Sequence, residues 1–171
     1  MAIDLRTYLD IVSRRIDTET DTGRVFLLMV LLEESLSNML RALFVAEAAS
    51  FIEGLTGKFH LKVALARSLG LLTKANFQDL KTLNSIRNRF AHRALDGTFD
   101  DPDVAPLVDQ LSESNRSNRA EAFGFTAALM AERFALGVRY AGQCRDGTIS
   151  MADLREAAAN GFPERKPGNG P

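Results

Sequence analysis

A single cysteine, Cys144, excludes an intrachain disulfide and a cysteine-based zinc site. There are only five prolines, and three of them (Pro163, Pro167, Pro171) fall in the last nine residues. The interior therefore holds few helix breakers. No long apolar run exists: the longest, Val25 to Leu32, has eight residues, against about twenty for a membrane span. The N-terminus, MAIDLRTYLDIV, lacks the basic start and apolar core of a secretory signal. Runs of β-branched residues with period-two alternation, the mark of strands, are also missing. No Walker, Rossmann or serine-hydrolase motif appears.

What remains is ordinary soluble-protein text. The chain has 171 residues, 46% hydrophobic and 25% charged. That length suits one domain able to bury roughly 70% of its unfolded surface. A cytoplasmic, all-α, single-domain up-and-down bundle of about five to seven helices is expected over residues 1–160. The tail 161–171, with the sequence GFPERKPGNGP, is expected to be disordered.

Apolar spacing of three and four places the helices. The first spans 3–16, with Leu5, Leu9 and Val12 on one side. The second spans 24–46 and is apolar all round in its first half, as burial or a subunit interface requires. Residues 47–58 read as irregular. A third helix covers 59–69 and stops at Gly70, a C-terminal cap. Thr73 caps the next, which runs to Arg93. Residues 95–101 form a turn, and Asp101-Pro102 starts a short helix to Leu111. A long helix covers 116–143, and Ser150 caps a last one to Ala159.

The net charge of −1 conceals a strong asymmetry. Residues 1–57 and 94–171 each sum to −4, whereas 58–93 hold eight Lys/Arg and one acid, Asp79, for +7. Both histidines, His60 and His92, also fall there. Such a block can be the footprint of nucleic acid or another polyanion, or its charges can pair with the acidic thirds.

The helix ending near Arg93 carries the most telling residues. With Leu83 at the centre of its apolar arc, Leu80, Ile86 and Phe90 lie within about 60°, and Arg87 at about 40°. A guanidinium inside an apolar arc must snorkel, find a carboxylate or line a cleft. Asn84, Asn88 and His92 form a polar ridge spaced by four. Arg87, Asn88 and His92 are expected to converge at one edge of the core-facing side.

The run Arg87-Asn88-Arg89-Phe90-Ala91-His92 resembles the Arg-Asn-x-x-x-His pattern of the HEPN superfamily. That resemblance implies a helical bundle that dimerises so that two motifs face one cleft. In its nuclease members the arginine and histidine positions cleave RNA without a metal. Here Arg87 would stabilise phosphate charge, His92 would act as general acid or base, and Asn88 would orient the site. A wider stretch, Leu55 to Val104, resembles the mannitol operon repressor family. Its matching pieces are Gly57-x-Phe59, Lys62, Leu69-Gly70-Leu71, Ile86-Arg87-Asn88 and Phe99-Asp100-Asp101-Pro102. This resemblance implies an all-helical transcriptional regulator, and no helix-turn-helix is evident in the sequence.

Two functions follow as expectations. The first is a regulator acting through protein or nucleic-acid contacts, with Asn84, Asn88, Arg89, Lys62 and Lys81 at the contact. The second is a metal-independent ribonuclease using Arg87 and His92. The plain structural alternative pairs Arg87 with Glu33 or Glu34 and leaves His92 at a helix C-terminus. No cofactor and no metal site are expected. His60 reads as an exposed helix-start residue and Cys144 as a partly buried thiol. Asp146 to Asp153 echo half an EF-hand loop, but a turn and a capped helix explain them better. A homodimer is expected from the extra apolar face of the second helix.

Overall fold

The computed structural model describes residues 19–47, 54, 58–93 and 96–163. The helix expected over 3–16 lies outside them. Among the described residues there are six helices and no strand, and together they form an all-α bundle.

Helix α1 spans Asp21–Leu43. It starts three residues earlier than its apolar pattern does, because the Thr20 side chain accepts from the Gly23 amide and caps it. Helix α2 spans Phe59–Ser68. Gly70 follows with φ +79°, and its amide donates to the Arg67 carbonyl, so the expected glycine stop is real. Helix α3 spans Lys74–Ala91, capped by the Thr73 hydroxyl, with His92 as its C-terminal cap residue.

The helix expected from Asp101 is a correction. Helix α4 covers only Ala105–Val108. The Asp101 carboxylate accepts from the Thr98 amide behind it and pairs with Arg93 at 2.6 Å. It is therefore engaged elsewhere and does not cap a helix. Helix α5, Arg119–Arg145, begins where Asn118 accepts from the Glu121 amide. Helix α6, Met151–Ala159, opens with a full capping box between Ser150 and Asp153.

The two long helices, α1 and α5, run side by side in the same direction. Leu28 lies beside Gly124, and Met39 lies where a side chain on Gly137 would stand. Glycine at 137 lets Met39 and Phe162 close in on α5. Helix α3 runs opposite to both: its start reaches Arg133 through Asn76 at 3.1 Å, and its end reaches Phe123 through Phe99. The Phe99 ring lies 5.2 Å from Phe90 and 5.3 Å from Phe123, and all three rings are buried. This aromatic knot ties the end of α3 to the start of α5, and Asp21 of α1 accepts from the Phe99 amide.

Packing also extends past the expected end of the domain. Phe162 is buried, with its ring 5.7 Å from Tyr140, whose hydroxyl donates to the Pro163 carbonyl. A large apolar residue beside Gly137 is worth burying, so the expected tail contributes its first residues to the core.

Gly97 is buried against the ring of Phe90. A Cβ there would lie 2.9 Å from Cδ1 of that ring, which is itself held by Phe99. Gly97→Ala is expected to cost about 1–3 kcal/mol by overpacking. Chemical denaturation checks this, and an unchanged midpoint would show that the ring can move aside.

Candidate functional site

Helix α3 carries the site, and its capped start and aromatic-anchored end fix its orientation. Leu80, Leu83, Ile86 and Phe90 face the core, as their spacing predicts. Asn88 and His92 point to solvent, while Asn84 and Arg87 are half-buried. The expected convergence of Arg87 and His92 does not arise within one chain. Five residues of helix separate them by about 140°.

Arg87 has no acidic partner among the described residues. The two carboxylates that could have met it are engaged elsewhere: Glu33 with Lys62 at 2.8 Å and Glu34 with Arg41 at 3.3 Å. His92 sits at the helix end, and its backbone amide donates to the Arg89 and Phe90 carbonyls.

Lys62 must be removed from the expected contact set. Its side chain is only 4% exposed, and its ammonium donates to Glu33 on α1. It closes a helix interface and offers nothing to a partner. Arg89 is exposed but lies 3.6 Å from Asp103. Arg93 pairs with both Asp101 and Asp103. The acidic thirds thus neutralise part of the basic block, at one edge of α3 and in the core.

The rest of the block is not neutralised. Lys58, Arg67, Lys74, Lys81 and Arg87 have no acidic partner among the described residues, and all five stand on or at the cap of α2 and α3; Arg67 donates to the Leu72 carbonyl instead. The one acid of the segment does not offset them. Asp79 is buried, and its carboxylate turns inward to accept from the Ser112 amide. The solvent side of α3 is consequently an acid-free stripe of Lys74, Gln78, Lys81, Ser85, Asn88 and His92, about 27 Å long.

Beside that stripe lies a groove between α2 and α3 of about 240 Å³. Phe59, Val63, Leu80 and Phe77 form its apolar floor and wall, and His60, Lys81, Asn84 and Ser85 its rim. The Lys81 ammonium stands 5.7 Å from the centre of the Phe77 ring. Sequence reasoning found Asn84 and Lys81 but missed His60, Phe77 and Ser85. Phe77, Lys81, Asn84 and Ser85 do share one helical stripe, at spacings of three and four. The contribution of α2 needed the tertiary fold.

A second hollow, at the start of α5, is electrostatically closed. Arg119 contacts Asp109 at 3.0 Å and Asp100 at 2.7 Å. Hydrogen bonding to these carboxylates raises the Arg119 pKa, and the same contact lowers that of Asp109.

The EF-hand echo resolves into local structure. Asp146 pairs with Arg145, and Asp153 caps α6. Among the described residues no three His, Cys, Asp or Glu side chains stand together as a metal site, and no helix is long and apolar enough to cross a membrane.

Several surface carboxylates couple the fold to pH. The Thr98 amide and the nearby Arg93 hold Asp101 below its ordinary value near 3.8. Arg119 does the same for Asp109, Arg145 for Asp146 and Ser150 for Asp153. A folded pKa below the unfolded one adds stability that is present above pH 3.8. It is lost as pH falls through the folded values. Melting temperature is therefore expected to drop below about pH 4, and the double variant Asp101→Asn, Asp109→Asn to show a shallower drop. Parallel acid profiles would contradict the assignment.

Comparison with known proteins adds nothing to this geometry: no family model, no curated protein and no solved structure matches the chain.

Proposed function

We propose that this protein is a cytoplasmic, non-catalytic regulator, resembling the mannitol operon repressors, that acts by contacting nucleic acid through the open face of α2 and α3. The supporting observation is a solvent face of α3 that holds no acid and carries Lys74 and Lys81, neither of which has an acidic partner among the described residues. Phosphate contacts of this kind give affinity with little sequence information. A protein without a helix-turn-helix can thus still hold a nucleic acid and act on its availability.

The ribonuclease reading draws on one feature, the half-buried Arg87 with no acidic partner. It would need His92 from a second copy to complete a cleft, given the angle between them on α3. Exposed Phe26 and Val30 on α1, 36% and 61% accessible, support a homodimer. Sedimentation over a concentration series should show a species above 18.8 kDa. Only monomer throughout would remove this element.

The deciding test is end-labelled RNA incubated with purified protein in EDTA, alongside His92→Ala. The regulator reading expects intact RNA and salt-sensitive binding. Cleavage to cyclic-phosphate ends, lost in a folded His92→Ala protein, would replace it with the ribonuclease.

A further inference from the structure

We infer that the groove between α2 and α3 is a base pocket, which takes one unstacked nucleobase of a single-stranded nucleic acid while the strand's phosphates follow the acid-free stripe of α3. The inference rests on the nucleic-acid reading above and specifies the form of nucleic acid and the residues that hold it.

Size limits the occupant first. About 240 Å³ corresponds to on the order of eight waters' share of liquid volume. That is the scale of one heterocycle. A peptide helix, about 10–12 Å across, could place no more than a side chain in it.

Chemistry limits it next. The floor and wall are apolar, and Phe77 supplies an aromatic surface on which any base can stack. The Asn84 amide carries a donor and an acceptor, the pairing a base edge requires. Ser85 keeps a hydroxyl at the rim, though it also donates to the Lys81 carbonyl. No carboxylate lines the groove.

Charge then selects a strand. Lys81 stands 5.7 Å from the Phe77 ring centre, so a base against that ring has a cation within reach of its own phosphate. Beyond it the stripe runs on in both directions, to Lys74 and to Asn88 and His92, with no acid to repel the next phosphates. A duplex cannot use the groove without extruding a base, which costs pairing and stacking. Single strands present theirs freely.

The test is fluorescence anisotropy with a short labelled single-stranded RNA, the matching duplex and a free mononucleotide. The variants are Phe77→Leu, Ser85→Glu and Lys81→Gln. Phe77→Leu keeps an apolar side chain and removes only the ring, and the two others change exposed positions. Circular dichroism melts confirm that each variant remains folded.

The single strand is expected to bind more tightly than the duplex. Phe77→Leu and Ser85→Glu should each weaken it by roughly five- to hundred-fold, as loss of one stacked base does. Lys81→Gln should reduce the slope of log affinity against log salt by about 0.7. Equal binding of strand and duplex, unaffected by Phe77→Leu and Ser85→Glu but weakened by Lys81→Gln, would overturn the base pocket and leave the nucleic-acid reading standing. Mononucleotide binding as tight as that of the strand would overturn the role of the stripe. No binding of any nucleic acid at low salt would overturn both readings and redirect the search to a protein partner.

Discussion

Glu33→Ala is expected to lower the unfolding free energy by about 3–5 kcal/mol, the cost of leaving a buried charge without its partner. The Lys62 side chain is 4% exposed and its ammonium's hydrogen-bonded acceptor is Glu33, 29 residues earlier in the chain. Removing that carboxylate strands the cation between α1 and α2. Lys62→Met should cost much less, about 1 kcal/mol. It keeps an apolar stem in the interface, and Glu33, at 20% exposure, can turn to water. Urea denaturation of the two variants measures the asymmetry. A second readout tests the corrected role of Lys62: Lys62→Met should bind RNA as the parent does. Weaker binding at unchanged stability would return Lys62 to the contact set.

Phe90→Ala is the second large effect. Phe90 is fully buried and packs at a tilt against Phe99, which packs at a tilt against Phe123. Truncation should cost about 3–5 kcal/mol through lost burial and the cavity left behind. For a chain of this size that is a drop on the order of 10 °C in melting temperature. Its neighbour Asn88 is exposed, and Asn88→Ala should stay within about 0.5 kcal/mol. The contrast matters because both lie inside the Arg-Asn-x-x-x-His stretch. Loss of function in Phe90→Ala would report unfolding, whereas loss in Asn88→Ala would report the surface. Equal melting temperatures for the two variants would show that the aromatic knot is not the anchor of α3.

These contrasts mark how far the sequence could be read. The spans of α2, α3 and α6 were legible because a cap is a local event. Thr73, Gly70 and the Ser150 to Asp153 box each act within a few residues. The core side of α3 was legible for the same reason, since period and turn angle are properties of one helix. The odd position of Arg87 was visible on that wheel too.

The misreadings share a different cause. Asp101-Pro102 has the form of a helix start, but the Asp101 carboxylate is held by Thr98 and Arg93 instead. The Gly-Phe-Pro at 161–163 reads as tail, yet Phe162 packs beside Gly137. In each case a tertiary partner outweighed a local preference, and such partners leave no periodic trace.

The sequence by itself therefore determined that this chain is helical, where most of its helices lie, and that its positive charge is concentrated in residues 58–93. Only the tertiary structure decided which of those charges are available. It turned Lys62 and Asp79 inward, set Asp101 and Asp103 against Arg89 and Arg93, and left Lys74 and Lys81 open beside a groove that α2 completes. Charge density is a property of composition, but free charge depends on which side chains meet across helix interfaces, and packing alone brings residues so far apart in the chain into contact.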